Sequence, residues 1–276
     1  MKKNILNILF IFSALAFLPA ETQPEQVKVG TGEQFALRQT ITVKTDQLTT
    51  DNLGNFYLIR NDVLEKYDPK GTLLKTYSNK TFGKIDLVDA NNPMKVLLFY
   101  RNFSQLVFLD NTLSLNGEPV SIEQLNIAQS PLISSSYNNG IWVYDPQNFE
   151  LHRFDLNLAR THSSGNISQT IASAITPTLL TEYNNKVYLN DPAMGILIFD
   201  IYGTYSKTIP LKNISSFQVN GDNIVYIERK KIMSFNTLTL AQDSILLPDT
   251  GAIALRIEKD KLFLMNKEQI KIYQVK

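Results

Sequence analysis

The chain of 276 residues contains no cysteine, only two histidines and a single tryptophan. Without cysteine the protein has no disulfide, no thiolate metal site and no thiol nucleophile, and it lacks the cysteine that would carry an N-terminal lipid. The fold must therefore be held together by packing and hydrogen bonds alone. The chain is long enough for this, because all-β domains of about 200–250 residues commonly fold as one unit.

An excess of charge of either sign is also missing. The sequence has 27 lysines and arginines against 26 aspartates and glutamates, and it has no basic block. A surface that binds nucleic acid or an anionic membrane needs concentrated positive charge. We therefore predict no nucleic-acid partner and no electrostatic attachment to membranes.

The first residues have the composition of an export signal. Two lysines precede an apolar stretch, and Ala20 ends the segment just before polar residues begin. An apolar core of about 7–15 residues suits a cleaved signal peptide, whereas a spanning helix needs about 20. We predict a signal peptide over residues 1–20, a linker over 21–33 and one domain over 34–276, with an uncleaved anchor as the alternative. The mature protein is then expected in the periplasm or outside the cell, or at the outer membrane, with no membrane span.

The rest of the chain repeats one hairpin pattern about every 40 residues, an interval typical of propeller blades. A short apolar strand ends on a polar residue, and another apolar strand precedes it across a polar turn. Short runs rich in Val, Ile, Leu, Phe and Tyr between Asn, Asp, Gly and Pro turns are typical of β-strands. The polar residues at which the repeated strands end are Asp68, Asp110, Asp155, Asp200, Asn236 and Gln274.

This repetition predicts an all-β fold, a six-bladed β-propeller. Four short strands form the sheet of one blade, and a ring of blades covers the faces that a lone sheet would expose. The sixth copy ends at Lys276 after three strands, while a spare strand over residues 34–43 precedes the first copy. We expect this N-terminal strand to complete the last blade and close the ring. Residues 121–130 suit a helical turn and a loop equally.

The repeats resemble those of six-bladed propellers of the NHL kind. In these, a Gly-containing turn, an apolar strand, an Asp-led turn and a strand ending in an aromatic residue plus Asp follow one another. Residues 184–203 (NNKVYLNDPAMGILIFDIYG) match well, residues 52–71 (NLGNFYLIRNDVLEKYDPKG) match moderately, and the second and sixth copies match poorly. The resemblance spans about residues 34–276 and implies the architecture. It leaves function open, because such propellers include binding scaffolds, lactonases and lyases.

Candidate catalytic groups are few. Asp86, Asp89 and Glu182 are the carboxylates expected in the innermost strands, whereas calcium takes several oxygen ligands, so we expect a channel lined by Ser, Thr and apolar residues. His152 and His162 match no zinc spacing, and we expect both at the surface. Nucleophile-elbow and phosphate-binding glycine motifs are absent. The sequence therefore predicts no metal, no cofactor and no enzymatic activity.

Turns are the better candidates for binding residues. The turns between the second and third strands of each blade share one rim of a propeller, and loops on a rigid scaffold often carry binding residues. Arg101, Phe103, Phe149 and Met194 are long or apolar groups in such turns, so we predict that they belong to a binding site. Phe149 also suits packing between blades. Trp142 is expected in the core.

These features favour an exported, non-enzymatic scaffold that binds a protein, peptide or glycan partner at the cell envelope through rim loops. One alternative is a hydrolase or lyase that depends on a divalent cation in the central channel. Another is a structural subunit of an outer-membrane assembly or secretion complex.

Overall fold

A computed structural model describes residues 34–45, 47–127 and 131–276, so the predicted signal peptide and linker lie outside the described residues. The described chain forms six antiparallel sheets of four strands each. The strands are β1 (Phe35–Thr42), β2 (Leu48–Thr50), β3 (Phe56–Arg60), β4 (Val63–Tyr67), β5 (Leu73–Tyr77), β6 (Leu87–Asp89), β7 (Val96–Tyr100), β8 (Gln105–Leu109), β9 (Val120–Ser121), β10 (Leu132–Ser135), β11 (Ile141–Asp145), β12 (Glu150–Phe154), β13 (Arg160–Ser163), β14 (Leu179–Tyr183), β15 (Lys186–Asp191), β16 (Gly195–Asp200), β17 (Tyr205–Ile209), β18 (Phe217–Asn220), β19 (Asn223–Glu228), β20 (Lys231–Asn236), β21 (Gln242–Leu246), β22 (Ala254–Glu258), β23 (Lys261–Met265) and β24 (Gln269–Val275).

The six sheets are the blades of a β-propeller, which confirms the predicted fold class. Blades 1 to 5 are β2–β5, β6–β9, β10–β13, β14–β17 and β18–β21, and blade 6 combines β22–β24 with β1. The first strand of each blade is the innermost one. Residues of these six strands together surround a central channel.

The strand β1 occupies the outer position of blade 6, antiparallel to β24. Phe35 pairs with Val275, and the Lys276 N–H donates to the Gln34 carbonyl at 3.0 Å. The two ends of the described chain therefore share one sheet.

Helical structure in the described residues is limited to short connections between strands. Of the region 121–130, which suited a helical turn or a loop, Ile122–Leu125 forms a 3₁₀ turn in which the Ser121 hydroxyl accepts the Glu123 N–H at 3.3 Å, and residues 128–130 lie outside the described residues. None of the helices in the described part of the chain has the length and apolarity to cross a membrane. The helical turns are Arg101–Phe103, Ile122–Leu125, Tyr137–Asn139 and the single α-turn Ile167–Thr170.

The recurring aspartate has a local role in the turn between the third and fourth strands. In blade 3, Asp155 Oδ1 accepts the N–H of Asn157 at 2.8 Å and of Ala159 at 3.0 Å. Such bonds fix the turn without help from the rest of the fold, because Asp satisfies backbone donors a few residues further on. The same two-bond arrangement occurs at Asp68, Asp110 and Asp200. This explains why four of the six repeated strands end on aspartate, and in blade 5 Asn236 Oδ1 accepts the N–H groups of Leu238 and Thr239 in the same turn.

Apolar side chains fill the gaps between blades in six clusters, each drawing on two neighbouring blades. Successive residues of a strand point to opposite faces, so one strand serves two gaps. In β11, Val143 packs towards blade 2 and Trp142 towards blade 4. Trp142 is fully buried, as predicted.

Strand direction divides the connections between two rims, because neighbouring strands of a blade run in opposite directions. The first rim carries the turns between second and third strands and the connections from one blade to the next. The second rim carries the turns between first and second strands and between third and fourth strands.

Candidate functional site

The innermost strands enclose two cavities in the central channel. The second-rim cavity, about 140 Å³, includes Asn91 and Tyr183 from the second-rim ends of their blades. The first-rim cavity, about 280 Å³, includes Ser215 and Ser216 from a blade-to-blade connection. Arg256 lines both cavities. Its side chain therefore lies between the two ends of the channel.

Three carboxylates line the second-rim cavity, and two of them bind groups across the gap to another blade. Asp89 of blade 2 accepts the Ser134 hydroxyl at 3.1 Å and the Ser135 N–H at 2.7 Å, both in blade 3. Glu258 of blade 6 accepts the Thr50 hydroxyl of blade 1 at 2.9 Å. Burial raises the pKa of the Glu258 carboxyl.

The third carboxylate, Glu182, joins blade 4 to blade 3. Its Oε2 accepts the Trp142 indole N–H at 2.7 Å and the Ser136 hydroxyl at 2.6 Å, and its Oε1 accepts the Tyr137 N–H at 3.0 Å. A carboxylate with this many donors is satisfied in place, and its loss leaves those donors unpaired. The carboxylates at this end of the channel therefore tie neighbouring blades together.

Arg256 has fewer partners than the carboxylates. Its guanidinium Nη1 donates to the Leu255 carbonyl at 2.9 Å, and within the described residues it forms no ion pair. Burial lowers the pKa of Arg256, while the charges of Glu258 and Asp89 act in the opposite direction. A guanidinium has five N–H donors, so most of its hydrogen-bonding capacity remains free.

The sequence prediction missed the charged residues of the last blade. Only Asp86, Asp89 and Glu182 were expected as carboxylates of the innermost strands, whereas β22 continues to Glu258 and brings this carboxylate into the channel. The predicted channel of Ser, Thr and apolar residues is therefore wrong in part. The alternation of Ala254, Arg256 and Glu258 was the available signal, because residues two apart share one face of a strand. Asp86 lies just before β6, where its Oδ2 accepts the Arg101 N–H at 2.9 Å.

The two histidines lie outside the channel. His152 is buried in β12, with 3% of its surface exposed, so its predicted surface position is wrong. Burial lowers the pKa of His152. His162 lies in β13, where its ring centre is 5.4 Å from that of Tyr202. Across residues 34–45, 47–127 and 131–276, no three acidic or histidine side chains are grouped to hold a metal ion.

The four predicted rim residues fall into two pairs. Arg101 and Phe103 lie in the 3₁₀ turn of blade 2, where Phe103 is 54% exposed and the Arg101 guanidinium carbon is 5.6 Å from the centre of the Phe99 ring. Phe149 and Met194 are partly buried and pack against the same cluster between blades 3 and 4. The structure thus brings the second pair together in a blade gap and leaves the first pair on another blade.

Exposed apolar side chains are concentrated on the other rim. Eight of the fourteen large apolar residues that are exposed in the described chain lie on the second rim, and only Phe103 and Ile253 lie in first-rim connections. The eight define what we call the apolar second rim: Leu53, Met94, Leu115, Leu156, Tyr183, Tyr202, Leu238 and Leu240. Seven of them lie in turns of blades 1 to 5, and Tyr183 is the last residue of β14.

The first rim carries a larger depression beside the channel mouth. It has a volume of about 680 Å³ and shares the side chains of Gln47, Ile59 and Ile253 with the first-rim cavity. Its charged lining residues are Lys44, Lys84, Lys267, Asp62 and Glu268, so positive groups outnumber negative ones by three to two. We call it the basic depression.

The comparisons with known proteins show similarity in fold only. The chain matches no protein-family model and no curated protein sequence. One similar solved structure is a catalytically inactive histidine-to-alanine variant of virginiamycin B lyase from Staphylococcus aureus with quinupristin. Its sequence is 14% identical to this chain and the TM-score is 0.57, and the match covers 83% of this chain and 80% of that one. The WD40 domain of Neurospora crassa Pan2 is 8% identical with a TM-score of 0.60, over 87% and 95%. A streptogramin B lyase is 11% identical with a TM-score of 0.57, over 86% and 87%.

Proposed function

We propose that this protein is an exported, non-enzymatic binding protein that engages a protein partner of the cell envelope through the apolar second rim. The propeller fold supports a binding or scaffold role in general. The observation that carries the finer proposal is the concentration of exposed leucine, methionine and tyrosine side chains in the turns of one rim. The signal-like first 20 residues support export.

The composition of this rim favours a protein partner over a glycan or a small molecule. Turn positions usually carry small polar residues, and exposed apolar groups gathered on one surface are typical of interaction sites. Six of the eight side chains are aliphatic and two are tyrosines, and they extend over five blades. An apolar surface of this breadth suits a macromolecular interface with a polar border.

The four first-rim residues predicted from the sequence contribute less to the proposed interface than the apolar second rim does. Arg101 and Phe103 present one exposed ring and one half-buried cation on blade 2, and we propose them as a secondary contact. Phe149 and Met194 offer less accessible surface, since both pack against the core between blades 3 and 4.

A paired set of variants tests which rim binds. The second-rim variant carries Leu156→Ser, Leu238→Ser and Leu240→Ser, and the matched first-rim variant carries Phe103→Ser and Ile253→Ser. All five positions are exposed, so each substitution should change the free energy of unfolding by only about 0.5 kcal/mol or less. Thermal melts provide the check on folding.

The immobilised proteins are then incubated with envelope extracts, and captured proteins are quantified by mass spectrometry. We expect a partner in stoichiometric amount with the unsubstituted protein, a smaller reduction with the first-rim variant because Phe103 is a secondary contact, and loss of the partner with the second-rim variant. The purified partner should reproduce this order of affinities. Equal capture by both variants, or no stoichiometric partner at all, would count against the proposal.

A hydrolase or lyase with a channel cation is the main rival. Lyases occur among the structural neighbours, but an identity of 11–14% shows the fold alone. The channel carboxylates here bind donors of neighbouring blades, and neither histidine lines the described channel cavities. Elemental analysis and thermal melts with and without chelator separate the two functions: a bound divalent cation whose removal lowers the melting temperature would favour the rival.

A structural subunit of an outer-membrane assembly or secretion complex remains the other proposal. It would use the same apolar second rim, but its partner would be a permanent complex. Deleting the gene would then remove a specific envelope complex, as seen by native electrophoresis, and the deletion would leave soluble ligands unaffected.

A further inference from the structure

The side chain of Arg256 has no structural task comparable to those of the channel carboxylates. Asp89, Glu182 and Glu258 each accept bonds from another blade, whereas among the described residues the guanidinium donates only to the carbonyl of the preceding residue. A half-buried cation without a counterion in contact lowers stability, because the lost hydration is not replaced. This cost suggests that the group serves a ligand.

The surroundings of the guanidinium suit an oxyanion. The first-rim cavity places the Ser215 and Ser216 hydroxyls and Thr49 in the same lining as Arg256. Guanidinium groups bind planar oxyanions through two parallel N–H bonds, and hydroxyls supply further donors. The three channel carboxylates line the second-rim cavity and, among the described residues, do not line this one. An anion entering from the first rim therefore meets donors before it meets carboxylates.

The approach to this cavity is also positive. The basic depression adjoins the first-rim cavity and carries three lysines against two carboxylates. Together with Arg256 this end of the channel has two more positive than negative side chains in its lining. A lining with net positive charge raises the local concentration of anions.

We propose that the first-rim cavity binds a single carboxylate group on the Arg256 guanidinium. The volume of about 280 Å³ admits a small organic acid or one carboxylate-bearing end of a peptide. A carboxylate is favoured over a phosphate because the three carboxylates beyond Arg256 repel a dianion more strongly than a monoanion. This site is at the opposite end of the channel from the apolar second rim, so it stands independently of the proposed protein partner.

The test uses the full mature protein and ligands that differ in charge. Binding of 4-fluorobenzoate is followed by ¹⁹F NMR, with the neutral 4-fluorobenzamide as control and inorganic phosphate as competitor. A short peptide with a free C-terminal carboxylate, and the same peptide amidated, represent a carboxylate supplied by another chain. We expect the carboxylate form to bind and the neutral form not to bind.

Variants locate the binding group. Arg256→Gln should weaken carboxylate binding by about tenfold or more, the size expected for a lost charge-assisted bond. Arg256→Lys should recover part of the affinity, because it keeps the charge and loses the planar fork. Lys75→Gln, at an exposed position of β5 that lines neither the first-rim cavity nor the basic depression, is the matched control and should retain the binding.

Stability measurements distinguish a variant that has lost the binding group from one that has lost its fold. We expect Arg256→Gln to melt at the same temperature as the parent or higher, and 4-fluorobenzoate to raise the melting temperature of the parent but not of this variant. Preference for benzoate indicates a free acid as the ligand, and preference for the peptide indicates a carboxylate from another chain. Absence of carboxylate binding, unchanged affinity in Arg256→Gln, tighter binding of phosphate, or a marked loss of stability in that variant would overturn the proposal.

Discussion

The charged side chains at the two ends of the channel differ in sign and in how much of their hydrogen-bonding capacity is used. At the second rim, Asp89, Glu182 and Glu258 bind donors of neighbouring blades, and apolar side chains surround them on the turns. At the first rim, Arg256 has free donors among the described residues, and three lysines and two carboxylates line the mouth. Buried charge that is fully hydrogen-bonded serves the fold, whereas buried charge with unused capacity is available to a ligand.

The geometry of the blades explains why the carboxylates gather at one end. All innermost strands run from the first rim to the second. Asp89 and Glu258 are the last residues of β6 and β22, and Glu182 is the last but one of β14. Strand ends that meet around one axis bring together residues from distant parts of the chain. Each carboxylate can thus reach a neighbouring blade.

Deleting the outer strand of blade 6 should disrupt both ends of the channel, because both rims depend on the closed ring of blades. Deleting residues 34–43 removes β1, one of the two strands paired with β24, and exposes the edge of β24 and the apolar cluster between blades 5 and 6. We expect the melting temperature to fall by about 10 °C or more. Leu37→Ser, at a 53% exposed position of the same strand, is the control and should change little. An unchanged melt after the deletion would show that the ring does not depend on this strand.

Loss of one carboxylate should weaken the second-rim end specifically. Glu182→Ala leaves the Trp142 indole, the Ser136 hydroxyl and the Tyr137 N–H without their acceptor. We expect the free energy of unfolding, measured in urea, to fall by about 2 kcal/mol. The exposed Glu118→Ala should stay within about 0.5 kcal/mol of the parent. If the two variants lose the same amount, the carboxylate does not tie the blades.

The smallest effect concerns the pH dependence of stability. Burial raises the pKa of Glu258 in the folded state, so the folded protein holds this proton more tightly than the unfolded chain. The stability due to this group is present below the ordinary glutamate pKa and is lost as the pH rises through the raised value. Glu258→Gln should remove that part of the decline in urea stability that occurs as the pH rises above the ordinary glutamate pKa of about 4.3. An identical pH profile in parent and variant would contradict this reading.

Prediction from the sequence succeeded where residues act on near neighbours. The strands, the blade repeat and the burial of Trp142 follow from alternation and turn chemistry. The position of Glu258 was missed because a one-residue shift in a strand boundary moves a side chain from channel to turn. His152 was misplaced because a polar residue in a strand can face either a blade gap or solvent.

The sequence by itself determined the repeating unit of this protein, a four-stranded sheet, and in four of the six blades an aspartate that accepts the N–H groups two and four residues further along the chain. Only the tertiary structure decided which rim gathers apolar groups, and that Arg256 lies between two cavities of different charge. The reason is distance along the chain. A hydrogen bond within a turn depends on adjacent residues, whereas the channel joins strands from six blades, and their meeting depends on the closed ring.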